Sequence, residues 1–187
     1  MTTNAELPVW ALDLVHSSIG FTVRHLVVSK VRGKFGRWTG SIRMDEHDLA
    51  AAQVDVSIET ASVDTGVEQR DNHLRSADFF DVEKFPAMTF KSTRVEKGKD
   101  GGLHLHGNLT LHGVTRPVVL EVEYAGTQKD PWGGTRAGFS ARTSLDRKAF
   151  GLTWNQLLET GGVAVSEKVD IEIEIEAVKQ VPAAVAA

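Results

Sequence analysis

Along most of the chain apolar and polar residues alternate one for one, the period of a strand with one face in a core and the other in water. Ile19, Phe21, Val23, His25 and Val27 share one parity, with Thr22 and Arg24 on the other. Val54, Val56 and Ile58 alternate with Asp55, Ser57 and Glu59, and Leu103, Leu105, Gly107, Leu109 and Leu111 with His104, His106, Asn108, Thr110 and His112. Val118, Leu120, Val122 and Tyr124 repeat the pattern. The clearest run sets Val169, Ile171, Ile173 and Ile175 against Asp170, Glu172, Glu174 and Glu176. Segments 10–14, 35–44, 88–95 and 135–145 bring the count to about nine strands.

Turn signals at 97–102 (KGKDGG), 113–116 and 130–134 (DPWGG) join these strands at short range. No strand–helix rhythm intervenes, so the sheet is expected to be antiparallel. A sheet of that many strands, each with one apolar face, closes most economically on itself, which also removes its edges. The expected fold is all-β, an eight-stranded antiparallel barrel, with Gly33, Gly36 and Gly40 where a long strand would have to bend. Such a barrel is either filled by its own side chains or holds one small ligand, and the alternation leaves both open.

One stretch breaks the pattern. Residues 68–90, EQRDNHLRSADFFDVEKFPAMTF, place Arg70, Asp71, His73 and Arg75 before Phe79, Phe80, Phe85 and Phe90. Read as a helix over 67–76, they put Asp71 four residues from Arg75, where the two can pair. Pro86 ends any helix, because the residue before a proline is pushed to extended geometry. The segment is expected to be a short helical crossing, a plug or lid between strands.

A chain of 187 residues, 41% hydrophobic and 25% charged, suits one domain, expected over 8–179, with 1–7 flexible and the alanine-rich 180–187 disordered. A net charge of −4 with no basic run argues against a nucleic-acid partner. The absence of cysteine excludes disulfides, thiol nucleophiles and zinc–thiolate sites. The opening MTTNAELPVW lacks a basic segment followed by an apolar core, and no apolar run approaches the ~18 residues of a membrane span. A cytoplasmic location is therefore expected.

Candidate chemistry is sparse. His104 and His106 share a strand face and could chelate a metal given a third ligand, but a solvated hairpin face opposite the leucines suits them better, with His112 beyond their reach. Asp13, His16 and Ser17 have the residue types of a hydrolytic triad, yet adjacent extended residues point to opposite faces, and a turn bridging the first two strands fits better. Arg70, His73 and Arg75 could donate to a polar headgroup, or could tie the crossing segment to the barrel. His25 shares the parity of an apolar set, the placement of a hydrogen-bonded core histidine. No catalytic residue and no metal is expected.

Several separated segments, in order, carry a resemblance: LDLVHSSIGFTVRH, RDNHLRSADFF followed by FPAMTF, NLTLHGVTRPV and FGLTWN. Together they resemble the YceI-like, polyisoprenoid-binding family from about Trp10 to Val178. The resemblance implies a lipocalin-like barrel with an elongated apolar cavity that binds, transports or stores a long-chain isoprenoid, either a polyprenyl lipid or an isoprenoid quinone. It implies no cofactor and no chemistry. Parity and motif together select Phe21, Val23, Phe79, Phe80, Phe90, Leu109 and Phe139 as cavity lining, with Phe150 and Trp154 as wall or mouth aromatics. Arg70, His73, Arg75 and His25 are the candidates for the headgroup. The late motif, DRKAFGLTWN, departs from the family in carrying Ala149 where an aspartate is usual before Phe-Gly. A homodimer is a further expectation of the resemblance, and transient membrane contact without a membrane span is expected beside it. Two other readings compete: an enzyme acting on a lipid or quinone-like substrate through His73 and Asp71, and a structural or stress-related module with a filled barrel.

Overall fold

A computed structural model describes residues 6–26, 28–98, 101–157 and 162–180. The alternating segments form β1 (Val9–Leu12), β2 (Ser18–His25), β3 (Ser29–Phe35), β4 (Trp38–Asp45), β5 (Asp48–Glu59) and β6 (Val63–Asp64). After α1 (Glu68–Arg75), the single α-helix among the described residues, come β7 (Ala87–Lys97), β8 (Leu103–Leu111), β9 (Val114–Lys129), β10 (Thr135–Asp146) and β11 (Val165–Lys179). Eight of these strands close a ring in the order β1-β4-β5-β7-β8-β9-β10-β11, with β11 pairing back onto β1. Every pairing in the ring is antiparallel. After a turn at 13–17, β2 rejoins β11 and carries β3 and then β6 beyond the ring. The closed eight-stranded antiparallel barrel is the architecture expected from the alternation, and the short helical crossing is the one expected where the alternation breaks.

The expected 35–44 strand is in fact two. Phe35 and Trp38 are both 7% exposed although they stand three apart, which a straight strand would send to opposite faces. Gly36 and Arg37 make the turn that lets both point inward. Strand β3 escaped notice because its outward residues are Lys30, Arg32 and Lys34 while only Val31 and Phe35 are apolar. Gly33 is not a bend but a close approach inside β3: a Cβ there would lie 2.3 Å from Cζ of Phe21. Gly107 makes the same room for Phe90, also at 2.3 Å.

Register confirms the parities. Phe139, Ala141 and Thr143 of β10 pair with Ile175, Ile173 and Ile171 of β11, so these apolar positions share the inner face. Charges occupy the outer one, as with Arg142 and Glu121 at 3.2 Å and Lys168 and Asp170 at 3.1 Å, exposed pairs that add little stability. Of the termini expected to be loose, residues 1–5 and 181–187 lie outside the described residues, as does Val27. Gln180 is not loose, since its backbone N–H donates to Val9 at 2.8 Å. No helix among the described residues is long and apolar enough to cross a membrane.

Candidate functional site

The inner faces do not fill the barrel. Val118, Leu120 and Val122 of β9 and Val169, Ile171 and Ile173 of β11 point inward, yet each remains half-buried rather than sealed. Their inner surfaces border a cavity of about 280 Å3. An engineered apolar cavity of about 150 Å3 already accepts benzene, so this one has room for a larger hydrocarbon.

One end of the bore is shut. Trp10 and Ala177 are fully buried, and the Trp10 indole donates to the Met44 carbonyl at 3.2 Å, tying β1 to β4. At the other end the crossing segment lays Leu74, Phe79 and Phe80 over the cavity, joined by Phe150 and Leu152. Phe80 meets Phe35 edge-on with centroids 5.8 Å apart, and Phe35 lies 5.7 Å from Phe21.

Of the apolar residues expected at the site, Phe21, Val23, Phe79, Phe80, Phe90, Leu109 and Phe139 all line the cavity. Trp154 lies just outside it, packed 5.2 Å from Phe79 and edge-on to His73 at 4.7 Å. The four polar candidates do not converge. Arg70 donates to the Thr65 hydroxyl at 2.7 Å and carbonyl at 3.0 Å. Arg75 donates to the carbonyls of Ala61 at 2.8 Å and Val63 at 2.7 Å, and to the Asn72 side chain at 3.0 Å. His73 pairs with Asp78 at 2.9 Å, and His25 sits half-buried at the end of β2, away from the lining.

The expected Asp71–Arg75 ion pair is absent. Asp71 is buried, and a buried carboxylate needs close donors, which Thr65 supplies from its N–H at 2.9 Å and its hydroxyl at 2.5 Å. The helix is therefore anchored to 61–65 by side-chain-to-backbone bonds rather than by charge pairs along its own face.

A further residue of the cavity wall was not anticipated. Arg147 is 5% exposed, and its stem lines the bore. Its guanidinium donates to the carbonyls of Ser166 at 2.9 Å, Leu152 at 2.6 Å, Trp154 at 2.8 Å and Val165 at 3.3 Å. Burial pushes its pKa below the usual arginine value, and among the described residues it forms no salt bridge. Nothing in an arginine following an aspartate signals such burial, because the acceptors come from segments up to 19 residues away.

Comparison with known proteins agrees with this geometry. The model of the YceI-like domain matches residues 10–177. The chain belongs to the YceI-like family. A UPF0312 protein of Vibrio cholerae is 42% identical over 165 residues, covering 88% of this chain and 83% of that protein. The YceI protein of Campylobacter jejuni superposes with a TM-score of 0.74 at 33% identity, over 84% of this chain and 90% of that one. A polyisoprenoid binding domain from Saccharophagus degradans shares the fold, with a TM-score of 0.68 at 16% identity over 93% and 99% of the two chains.

Other polar candidates in this YceI-like chain have structural work. His106 pairs with Glu96 at 3.0 Å on the outer wall. His112, expected on a solvated face, instead packs 4.5 Å from Phe85 in the β8–β9 turn, where a φ of 51° swings it off the strand. Asp13 caps the β1–β2 turn, accepting from the N–H groups of Val15 at 3.1 Å and His16 at 3.3 Å. Ser17 accepts from the Glu176 N–H at 2.9 Å, so this trio bridges strands as expected. Side-chain atoms of Asp13, His16 and Glu176 gather within 4.8 Å of one another, but the Arg136 guanidinium binds both Asp13 and Glu176 and supplies the cation.

Hydrogen bonds from His16 and then Arg136 hold the Asp13 carboxyl far below the ordinary aspartate range. A depressed folded pKa contributes stability that is complete above the ordinary aspartate value and is lost as pH falls toward the folded one. Asp13→Asn is therefore expected to melt below the parent at neutral pH, with the gap narrowing steadily under acid. Melting curves across pH 7 to 2.5 would show it, and a gap independent of pH would reject this role for Asp13.

Proposed function

We propose that this YceI-like protein binds a long-chain isoprenoid lipid, holding the tail in the barrel and performing no conversion on it. The observation that carries this reading is a hydrocarbon-lined bore, closed at one end by Trp10 and Met44, along which the inward side chains of β9 and β11 stay half-buried because they face empty space. Each buried methylene stabilises by about 0.8 kcal/mol before ordering costs, so a branched tail can be held without any polar contact. The related fold of a polyisoprenoid binding domain supports the ligand class.

Polar selection falls to His73 among the original candidates, because its imidazole is 39% exposed beside the Phe79 and Trp154 rings at the roof. Arg70 and Arg75 then serve to position the roof. The carrier reading is also favoured over enzymatic use of Asp71 with His73, since Asp71 is buried and committed to the Thr65 N–H and hydroxyl.

Solvent extraction of freshly purified, denatured protein followed by mass spectrometry tests the proposal. The expected result is a stoichiometric apolar molecule whose mass reports repeated isoprene units. An empty extract that stays empty after incubation with polyprenyl lipids and quinones would overturn it.

A further inference from the structure

At the roof end of the barrel, beside the cavity, three large apolar side chains stand in water. Val28 is 89% exposed, Leu157 82% and Leu26 41%. They belong to one rim: the Leu26 N–H donates to Ala164 at 2.9 Å, the Ala164 N–H donates to Gln156 at 2.9 Å, and Leu157 bridges Val163. Leu26 holds a φ of 53°, a left-handed backbone region that disfavours a leucine, and its side chain stays 41% exposed there. The rim also borders the bore, since Val165 opposite His25 and Val23 below it both line the cavity.

A basic stripe descends from this rim. Inward-facing Phe21 and Val23 pair with Gly33 and Val31, so their neighbours must face out: Arg24 beside Lys30, Thr22 beside Arg32, and Gly20 beside Lys34. Arg24, Lys30, Arg32 and Lys34 thus form one outer surface of β2 and β3, all exposed, and among the described residues none of them is in a salt bridge. Of the nearest acids, Asp64 sits across from Lys34, while Asp170 is held by Ser144 at 2.7 Å and by Lys168 at 3.1 Å. In a chain of net charge −4, four cations on one strand pair are a local reversal of sign.

Lysines on β3, whose outer side is paired by β6 only at Lys34 and Phe35, can simply discourage strand pairing between molecules. That account leaves the exposed Leu26, Val28 and Leu157 unexplained, because apolar tips promote association. Apolar side chains for the acyl boundary beside cations for the headgroups together match an anionic bilayer.

We propose that the rim formed by Leu26, Val28 and Leu157, with the stripe of Arg24, Lys30, Arg32 and Lys34, docks this protein on an anionic lipid membrane and presents the cavity end of the barrel to it. The inference goes beyond cargo binding and is tested independently of any cargo.

Co-sedimentation with phosphatidylglycerol-containing vesicles, against vesicles of phosphatidylcholine alone, measures it. The full chain is expected to partition onto the anionic vesicles, with affinity falling steeply between low and physiological salt. Each basic residue near such a surface contributes about 1 kcal/mol, so Lys30→Gln, Arg32→Gln and Lys34→Gln combined should weaken partitioning on the order of 100-fold. Val28→Ser with Leu157→Ser should reduce binding while leaving its salt dependence in place. Equal affinity for both vesicle types, absence of vesicle binding with self-association instead, or a folded triple variant that binds like the parent would each overturn the proposal. If the triple variant misfolds, the lipid and salt dependence of the parent decides alone. An empty cavity by mass spectrometry with intact vesicle docking would refute the cargo and spare this surface.

Discussion

Replacing Arg147 by methionine is expected to lower stability by about 3–5 kcal/mol, because a buried multi-acceptor cation is removed and its partners are left unsatisfied. Methionine fills much of the aliphatic volume, so the loss would not come from a cavity. The carbonyls of Leu152, Trp154 and Ser166 would each lose the Arg147 donor in a place where water has poor access, while that of Val165 keeps the Asn155 amide at 2.6 Å. For a chain of this size that corresponds to a fall in melting temperature of roughly 10 °C. Arg147→Lys should recover only part of it, since an ammonium cannot reproduce the planar fork that reaches two segments at once. Thermal unfolding of the three proteins checks this, and a methionine variant melting within 2–3 °C of the parent, about what 1 kcal/mol shifts in a chain this long, would reject the clamp. Faster hydrogen exchange should concentrate on the amides of 152–157 and 163–166.

Ala141→Phe should separate stability from ligand binding, moving them in opposite directions. Ala141 faces the bore between Val122 and Ile173, at a point where the wall borders open space. A phenyl group there fills void, and burying it should leave melting unchanged or raise it, by up to about 2 kcal/mol. The same ring displaces several methylenes of any tail, each worth about 0.8 kcal/mol, so affinity should fall roughly 100-fold. Ser140→Phe, one residue away on the outer face, is the control expected to keep full binding. Titration with a fluorescent polyprenyl analogue reads the affinity. Equal binding by the parent and Ala141→Phe would show that the ligand does not enter the bore. A large loss of stability would show that the space is smaller than its lining implies.

The strand faces of β8, β9 and β11 were legible because period-two alternation needs no partner to define it: Ile171 and Glu172 declare inside and outside by themselves. The helical crossing was legible from a different signal, its charges and the bounding Pro86, and the apolar lining from parity together with motif, since Phe79 and Phe80 lie on no strand. The 35–44 segment misled because Phe35 and Trp38 break parity, which only a turn at Gly36 reconciles. The polar residues were hardest to place. Asp71, Arg75 and Arg147 all bond to backbone groups, and every residue carries those groups, so no pattern in side-chain types could point to the partner.

Composition and alternation thus determined, from local information alone, an antiparallel all-β chain with one interrupted crossing and an apolar inner face. Tertiary structure decided what that face encloses, because whether eight strands meet side chain to side chain or leave a bore depends on the summed volumes of residues far apart in sequence. It also decided which charges are anchors and which are exposed, since a guanidinium acquires its role from the carbonyls that folding brings within 3 Å of it.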